Sequence, residues 1–358
     1  MKTVVVGMSG GVDSSVSAYL LKQQGYNVIG LFMINWEEEN DGHCTAEDDF
    51  EDVKRVCNKI GIPYFSVNYA KEYYDRVFKY FLEQYKKGNT PNPDVLCNKE
   101  IKFGPFLEQA NKLGADYIAT GHYCKKIEKD GKFYLAKASD LNKDQSYFLN
   151  QLNQKQLEKV IFPLEDIDKP RVREIAKELE LSTASKKDST GICFIGERNF
   201  KKFLKEYLPA KPGNIVTENG EVVGKHDGLM YYTLGQRRGL AIGGRSGGNG
   251  QRWFVLRKDL EKNELVVSQG EGDALFSKAL ICKSFNWIPE IPNEKKFECF
   301  GKFRYRQPDQ KVVVEIREND IYIQFAEKQR AITPGQYAVL YDANGICLGG
   351  GEIEEVIY

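Results

Sequence analysis

Along the first 120 positions, apolar residues fall in short runs separated by amphipathic stretches, the pattern of a parallel sheet covered by helices. Residues 3–7, 27–33, 63–67 and 116–120 read as strands. Between them, 14–24 reads as a helix closed by Gly25. Thr45 followed by Asp48 has the form of a capping box, opening a helix whose face carries Phe50, Val53, Val56, Cys57 and Ile60. That face places Cys57 in the core. Residues 72–87 and 100–113 predict two further helices and leave 88–98 as an exposed, proline-rich loop.

Past Thr120 the pattern changes. Lys129-Asp130-Gly131-Lys132 predicts a hairpin turn. Helices return at 154–160, at 170–181 with Val172, Ile175, Ala176 and Leu179 on one face, and at 199–208, where Pro209 ends the run. From there to Tyr358 the signals are those of β-structure: Asn219-Gly220 and Asn344-Gly345 turns, and alternation over 311–316 and 321–325. A glycine-rich loop at 243–250 and a composition shift near Lys278 split this half into two modules. The expected fold class is an α/β N-terminal domain over 1–205, with a parallel sheet and helices on both faces. A small central β-rich domain over 206–277 and a C-terminal β-barrel over 278–358 follow.

Composition narrows the function. The 358 residues hold 51 Lys plus Arg against 51 Asp plus Glu, which excludes a uniformly basic nucleic-acid coat. The balance is uneven along the chain. Residues 186–258 carry 14 basic against 6 acidic side chains, among them Arg237, Arg238, Arg245 and Arg252. Residues 31–52 carry nine acidic side chains and no basic one, as a solvated face would. No run reaches the roughly 18 apolar residues of a membrane span, and Val4-Val5-Val6 follows Met1 too closely for a signal peptide, so a cytoplasmic protein is expected. Eight cysteines include no C-x-x-C pair, which argues against a zinc ribbon, and the predicted metal-ligand set is none.

Strand 3–7 runs into Met8-Ser9-Gly10-Gly11-Val12-Asp13-Ser14-Ser15 and then a helix. Here glycines let the backbone approach an anion while amides, hydroxyls and the helix terminus supply positive potential. The loop is neither a Walker A sequence nor G-x-G-x-x-G. Its structural alternative is a plain turn with Asp13 or Ser14 as helix cap. Two cysteines have suggestive neighbours. Cys97 follows two stiffening prolines just before a predicted helix and beside Lys99, which favours a thiolate, and Asp94 is placed to handle a proton. Cys193 lies in a stretch with glycines at both ends and basic flanks. Burial as an apolar residue is the competing account of each, and physics alone does not pair them.

Ser-Gly-Gly-x-Asp-Ser resembles the pyrophosphate loop of the ATP pyrophosphatase superfamily, whose members split ATP into AMP and pyrophosphate. More specifically, residues 92–103, 119–123, 143–148, 188–198, 232–240 and 333–336 resemble, in order, the motifs of the bacterial tRNA-specific 2-thiouridylases. The resemblance runs from residue 3 to about 354. It implies an adenine nucleotide alpha hydrolase-like catalytic domain. It also implies a reaction in which ATP adenylates the C2 oxygen of a wobble uridine and persulfide sulfur then displaces AMP. ATP would contact Gly7, Met8, Ser9, Gly10, Gly11, Val12, Asp13, Ser14, Met33 and Gly121, with Mg2+ riding on its phosphates. Cys193 would carry the persulfide, Cys97 would act as nucleophile and close a disulfide with Cys193, and Asp94 would move a proton. Asn92, Pro93 and Asp94 would contact the target base. His122, Lys143, Asp144, Gln145, Arg304, Tyr305 and Gln336 would contact tRNA, with Tyr305 able to stack on a base. The implied partners are the Lys, Glu and Gln tRNAs and an upstream persulfide donor, a cysteine desulfurase or sulfur-relay protein; no membrane is involved. Rival readings are another pyrophosphate-loop ligase, a thiolase using an iron–sulfur cluster, and a non-catalytic tRNA-binding protein.

Overall fold

The computed structural model describes residues 1–37, 45–188, 200–242 and 250–358. The predicted Cys193 motif, Cys44, the Thr45 side chain and most of the 243–250 loop lie outside the described residues.

The first region holds β1 (Thr3–Met8), β2 (Asn27–Ile34), β3 (Tyr64–Asn68), β4 (Tyr117–Ala119), β5 (Cys124–Lys129), β6 (Lys132–Lys137) and β7 (Val160–Ile161). Five of these form a parallel sheet in the order β3-β2-β1-β4-β7. Burial on both faces explains the unbroken valines of β1. Val5 joins Leu31 and Met33 in one core, while Val4 and Val6 join Phe32, Val53 and Cys57 in the other. Cys57 is fully buried, as its helical position predicts, and burial pushes its thiol up to about 12. The chain leaves β1 in one direction for β2 and β3 and in the other for β4, so a crevice opens outside the carboxyl ends of β1 and β4.

The helical prediction needs two corrections. The helix expected over 100–113 is broken, because Pro105 starts a fresh helix, Pro105–Lys112, after Gly104. The stretch 88–98 is not an exposed loop, and none of its residues is exposed. Its second half is the helix Pro93–Cys97, continued by a π-turn, Asn98–Lys102. Asn92 caps that helix by accepting from the Val95 amide at 3.2 Å, and Pro93 occupies its first turn. A proline-rich composition signalled a loop where the prolines serve an N-terminus. The helix expected at 72–87 runs as Ala70–Tyr73, a π-turn Tyr74–Phe78, and Lys79–Lys86.

The central module contains β8 (Gly213–Thr217), β9 (Val222–His226), β10 (Trp253–Asp259) and β11 (Glu264–Gln269) in the order β10-β11-β8-β9. Lys258 of β10 reaches the first region, donating to the Gly88 carbonyl at 2.8 Å beyond the end of Lys79–Lys86. Burial brings the Lys258 ammonium down to about 8. Between that value and the ordinary lysine value of about 10.4, the unfolded chain binds more protons than the folded one, so this group makes stability rise with pH across that window. Melting of the wild type should therefore gain on Lys258→Met as pH rises through the window. A flat or falling difference would refute the assignment.

The last region holds β12 (Phe276–Cys282), β13 (Phe285–Trp287), β14 (Lys296–Lys302), β15 (Gln310–Ile316), β16 (Ile321–Arg330), β17 (Tyr337–Tyr341), β18 (Ile346–Glu352) and β19 (Glu355–Ile357). Antiparallel pairing runs β12-β16-β15-β14-β17-β18, and β13, two residues beyond β12, pairs with β18. The ladder thus returns on itself as a barrel around Leu280, Val314, Ile323, Ala338 and Leu340. The β5–β6 hairpin, turned by Asp130 and Gly131 at positive φ, pairs with β18 through Ala136–Ile346 and Leu135–Cys347. One sheet therefore contains strands from the first and last regions of the chain.

Candidate active site

At the end of β1 the chain turns through Ser9, Gly10 and Gly11 into the helix Val12–Gln23. Gly11 is its N-cap and no side chain caps it, so neither Asp13 nor Ser14 plays the capping part that a plain turn would give them. Ser14 Oγ instead accepts from the Ser9 amide at 3.2 Å, holding the loop closed from inside. Gly10, at φ +71, lies against the helix Thr45–Ile60, where a Cβ would come within 2.7 Å of the Asp49 carbonyl. Among the described residues, a Cβ on Gly11 would meet only Ser9 Oγ, at 3.4 Å, and none of them closes the loop's outer side there. Met33 lies one residue past the last β1–β2 pair, Met8–Phe32. Gly121, two residues past β4, lies so close to the start of the helix Val12–Gln23 that a Cβ there would come within 2.9 Å of the Ser14 amide nitrogen. The structure thus gathers the predicted nucleotide residues at the β1/β4 crevice.

Around Asp13 lies a charged network that local sequence reading did not find. Lys169, 7% exposed, donates to both Asp13 oxygens at 2.7 Å, and the Tyr123 hydroxyl donates to Oδ1 at 2.8 Å. Lys169 also pairs with Asp188 at 2.8 Å. Asp188 in turn holds Lys143 at 2.6 Å and Arg173 at 2.7 Å. Burial alone would raise the Asp188 carboxyl, but hydrogen bonds from Lys143 and Lys169 outweigh it and bring it down to about 2. Lys169 is invisible in sequence because Asp168-Lys169-Pro170 reads only as a helix start, which it also is. The acidic and basic runs meet here as well, since Lys186 donates to Asp49 and Asp52, each at 2.7 Å. Those two carboxylates are not merely a solvated face. Replacing Lys169 by Met leaves two half-buried carboxylates short of a cation and should cost about 3 kcal/mol of stability, measured by denaturant unfolding. Asp13→Asn added to that variant should recover part of the loss.

Cys97 is the fifth residue of its helix, not a residue before it, and is fully buried in the core shared with Val77, Phe78 and Phe203. The π-turn follows it directly; such turns are rare and cluster at functional sites. Asp94 lies in the first turn, half-buried. The loop before the helix is stapled to the barrel. Gln336 donates to the Thr90 carbonyl at 2.7 Å, the Thr90 amide donates to the Pro334 carbonyl at 2.9 Å, and Asn92 Nδ2 approaches Gln336 Oε1 at 3.5 Å. Gly335, at φ +91, permits this, because a Cβ there would meet the Thr90 backbone at 2.9 Å.

The residues expected on the RNA side join these two ends. His122 Nδ1 lies 2.8 Å from Thr120 Oγ1, and burial, helped by Lys102, keeps its ring neutral. Gln145 accepts from the Tyr123 amide at 3.1 Å. Asp144 is buried and accepts from the Ala138 and Ser146 amides and the Ser146 hydroxyl, so its side chain shapes the turn that presents its neighbours. Tyr305 donates to the Lys143 carbonyl at 3.4 Å and packs on Phe148 with centroids 4.4 Å apart. Arg304 donates to the Ala331 carbonyl at 2.7 Å and to Thr333 Oγ1 at 3.1 Å. Contacts therefore run from Asp13 through Lys169, Asp188, Lys143, Tyr305 and Arg304 to the 333–336 turn and Asn92.

Cys124, Cys282, Cys299 and Cys347 are buried, and burial pushes each thiol up. Among the described residues, no three His, Cys, Asp or Glu side chains gather to hold a metal, and no helix is long and apolar enough to cross a membrane.

Comparison with known proteins agrees on the whole length. Family models described as the tRNA methyl transferase HUP domain, the tRNA methyl transferase PRC-barrel domain and the aminomethyltransferase beta-barrel domain match residues 2–197, 201–269 and 277–353. The chain is 60% identical to the tRNA-specific 2-thiouridylase MnmA of Alkaliphilus oremlandii over 99% of its own length and 97% of that protein. It is 58% identical to the protein of that name from Bacillus subtilis, over 99% of its own length and 95% of the relative.

Proposed function

Because the chain belongs to the family of the tRNA-specific 2-thiouridylases, we propose that the β1/β4 crevice and the Cys97 helix together convert a tRNA wobble uridine to 2-thiouridine. The enzyme is a sulfurtransferase that uses ATP. The observation that carries the reading is the run of contacts from Asp13 to Asn92, because the reaction needs an activating nucleotide and a sulfur-handling thiol around one base.

A uracil C2 carbonyl is a poor electrophile. Transfer of AMP to its oxygen, with loss of pyrophosphate, turns that oxygen into a leaving group. The uncapped terminus at Gly11, the open face of the loop and the close approach at Gly121 fit a triphosphate there, with adenine against the Met33 and Gly121 backbone. Mg2+ accompanies the phosphates and needs no protein cage. The uridine is flipped out of the anticodon stack, as a base within a stack cannot be reached. Asn92, Pro93 and Asp94 border it, with Asp94 moving the proton, while His122, Lys143 to Gln145, Arg304, Tyr305 and Gln336 hold the surrounding RNA. Cys193 brings sulfur as a persulfide from the upstream donor. The terminal sulfur bonds to C2 and AMP departs. Cys97 then attacks the Cys193 sulfur, leaving the terminal sulfur on the base and a disulfide that an external thiol must reduce.

The test is reconstitution. Purified protein, ATP, Mg2+, a persulfide donor and unmodified tRNA should give 2-thiouridine, with pyrophosphate release dependent on tRNA. Nucleoside mass spectrometry separates that product from a methylated uridine, the outcome that the wording of the family models would suggest. A methylated product, or no modified nucleoside, would end the proposal.

A further inference from the structure

Asn35 is the first residue past β2 and lies two past Met33. It is 1% exposed, yet neither Nδ2 nor Oδ1 has a hydrogen-bond partner among the described residues. Alone among those residues it has both ends of a side chain orphaned. The fold does not neglect amides elsewhere. Asn150, also buried, donates to the Tyr147 carbonyl at 2.6 Å and accepts from Gln151 at 2.7 Å. Buried polar atoms without partners are costly and rare, and where they persist they call for an account such as stored strain, a bound water or ion, or a functional role.

Its position indicates what that ligand is. Asn35 lies at the carboxyl edge of the parallel sheet, where ligands of such folds bind. Its neighbours are fixed on both sides: the Ile34 carbonyl accepts from the Tyr69 amide at 2.7 Å, and Trp36 packs edge-on against Phe78 at 4.8 Å. Alternation along β2 sends Leu31 and Met33 to the core that contains Cys97, and Trp36, just past Asn35, packs against that same core. Two further orphaned atoms, Thr90 Oγ1 and Asn98 Oδ1, flank the stretch that carries Asn92, Asp94 and Cys97. A carboxamide offers a donor and an acceptor side by side. We propose that Asn35 is a substrate-reading residue whose carboxamide pairs with a nucleobase edge bearing an adjacent donor and acceptor. The inference rests on the thiouridylase reading and adds a residue to its site. Two bases there have such an edge: N3–H and O4 of uracil, and N6–H and N1 of adenine.

Asn35→Leu keeps the shape and removes both polar atoms, and Asn35→Ala controls for packing. Two arms separate the sources: the equilibrium dissociation constant for ATP without tRNA, and kcat and KM for thiolation at saturating ATP. Weakening of ATP binding by about tenfold or more identifies adenine. Unchanged ATP binding with kcat/KM for tRNA down by a similar factor identifies uracil. Melting of Asn35→Leu should be equal to or above wild type, because an unsatisfied amide has been removed. A Leu variant as stable as wild type that stays within about twofold in both arms would overturn the proposal, since a lost base contact exceeds that. Absence of 2-thiouridine from the wild type would instead fail the thiouridylase reading, while the ATP arm still tests Asn35.

Discussion

Cys97→Ser should abolish 2-thiouridine formation, by at least about a thousandfold in single-turnover rate, while tRNA-dependent pyrophosphate release continues. A serine hydroxyl is nearly isosteric with a thiol, so a fully buried position at the fifth residue of a helix tolerates it. What it lacks is an accessible anion to attack a persulfide sulfur. In the proposed mechanism adenylation precedes that step and uses the opposite end of the site, at Gly11 and Gly121, so activated tRNA should accumulate. Cys57→Ser is the control. It is as buried as Cys97, but its thiol contacts the far core and its loss should leave both reactions intact. Undiminished product from Cys97→Ser would remove Cys97 from the sulfur step.

Gly121→Ala should have the complementary effect, loss of pyrophosphate release with the thiols untouched. A Cβ at this position would come within 2.9 Å of the Ser14 amide nitrogen and 3.0 Å of the Asp13 carbonyl carbon. Both are backbone atoms in the first turn of a helix and cannot swing aside as a side-chain tip would. The strain falls on the segment whose amides are proposed to face phosphate and on Asp13, which Lys169 and Tyr123 hold. A misplacement on the scale of an ångström there should lower ATP affinity and adenylation by about a hundredfold. Titration with ATP and a pyrophosphate assay read it directly. Wild-type ATP affinity in Gly121→Ala would show that the β4 end does not shape the nucleotide site.

How legible the site was depends on how local its causes are. The valines of β1, the glycines after it and the helix behind them are consecutive, and their signal survives in a short window. The break at Pro105 was there to be read, but the apolar spacing on either side carried one helix across it. Loop and helix share their composition at 91–98, and only the cap made by Asn92 distinguishes them. The Asp13–Lys169–Asp188–Lys143 network was unreadable for another reason. Its members come from four separate segments, and each has an adequate local explanation as cap, turn or solvated charge.

The pairing of β6 with β18 bears on how the chain acquires its structure. Residues 135 and 347 must find each other before the free edge of β6 is protected, so a ribosome releases the first domain with a hairpin awaiting the last strands to be made. Pairing across such a separation closes late and slowly. An isolated barrel fragment would keep β13 on Gly349–Gly351 but leave the Ile346–Cys347 end of β18 unpaired, open to association with other chains. Truncation should thus yield aggregation rather than an autonomous module, and the nucleotide and barrel regions should melt in one transition.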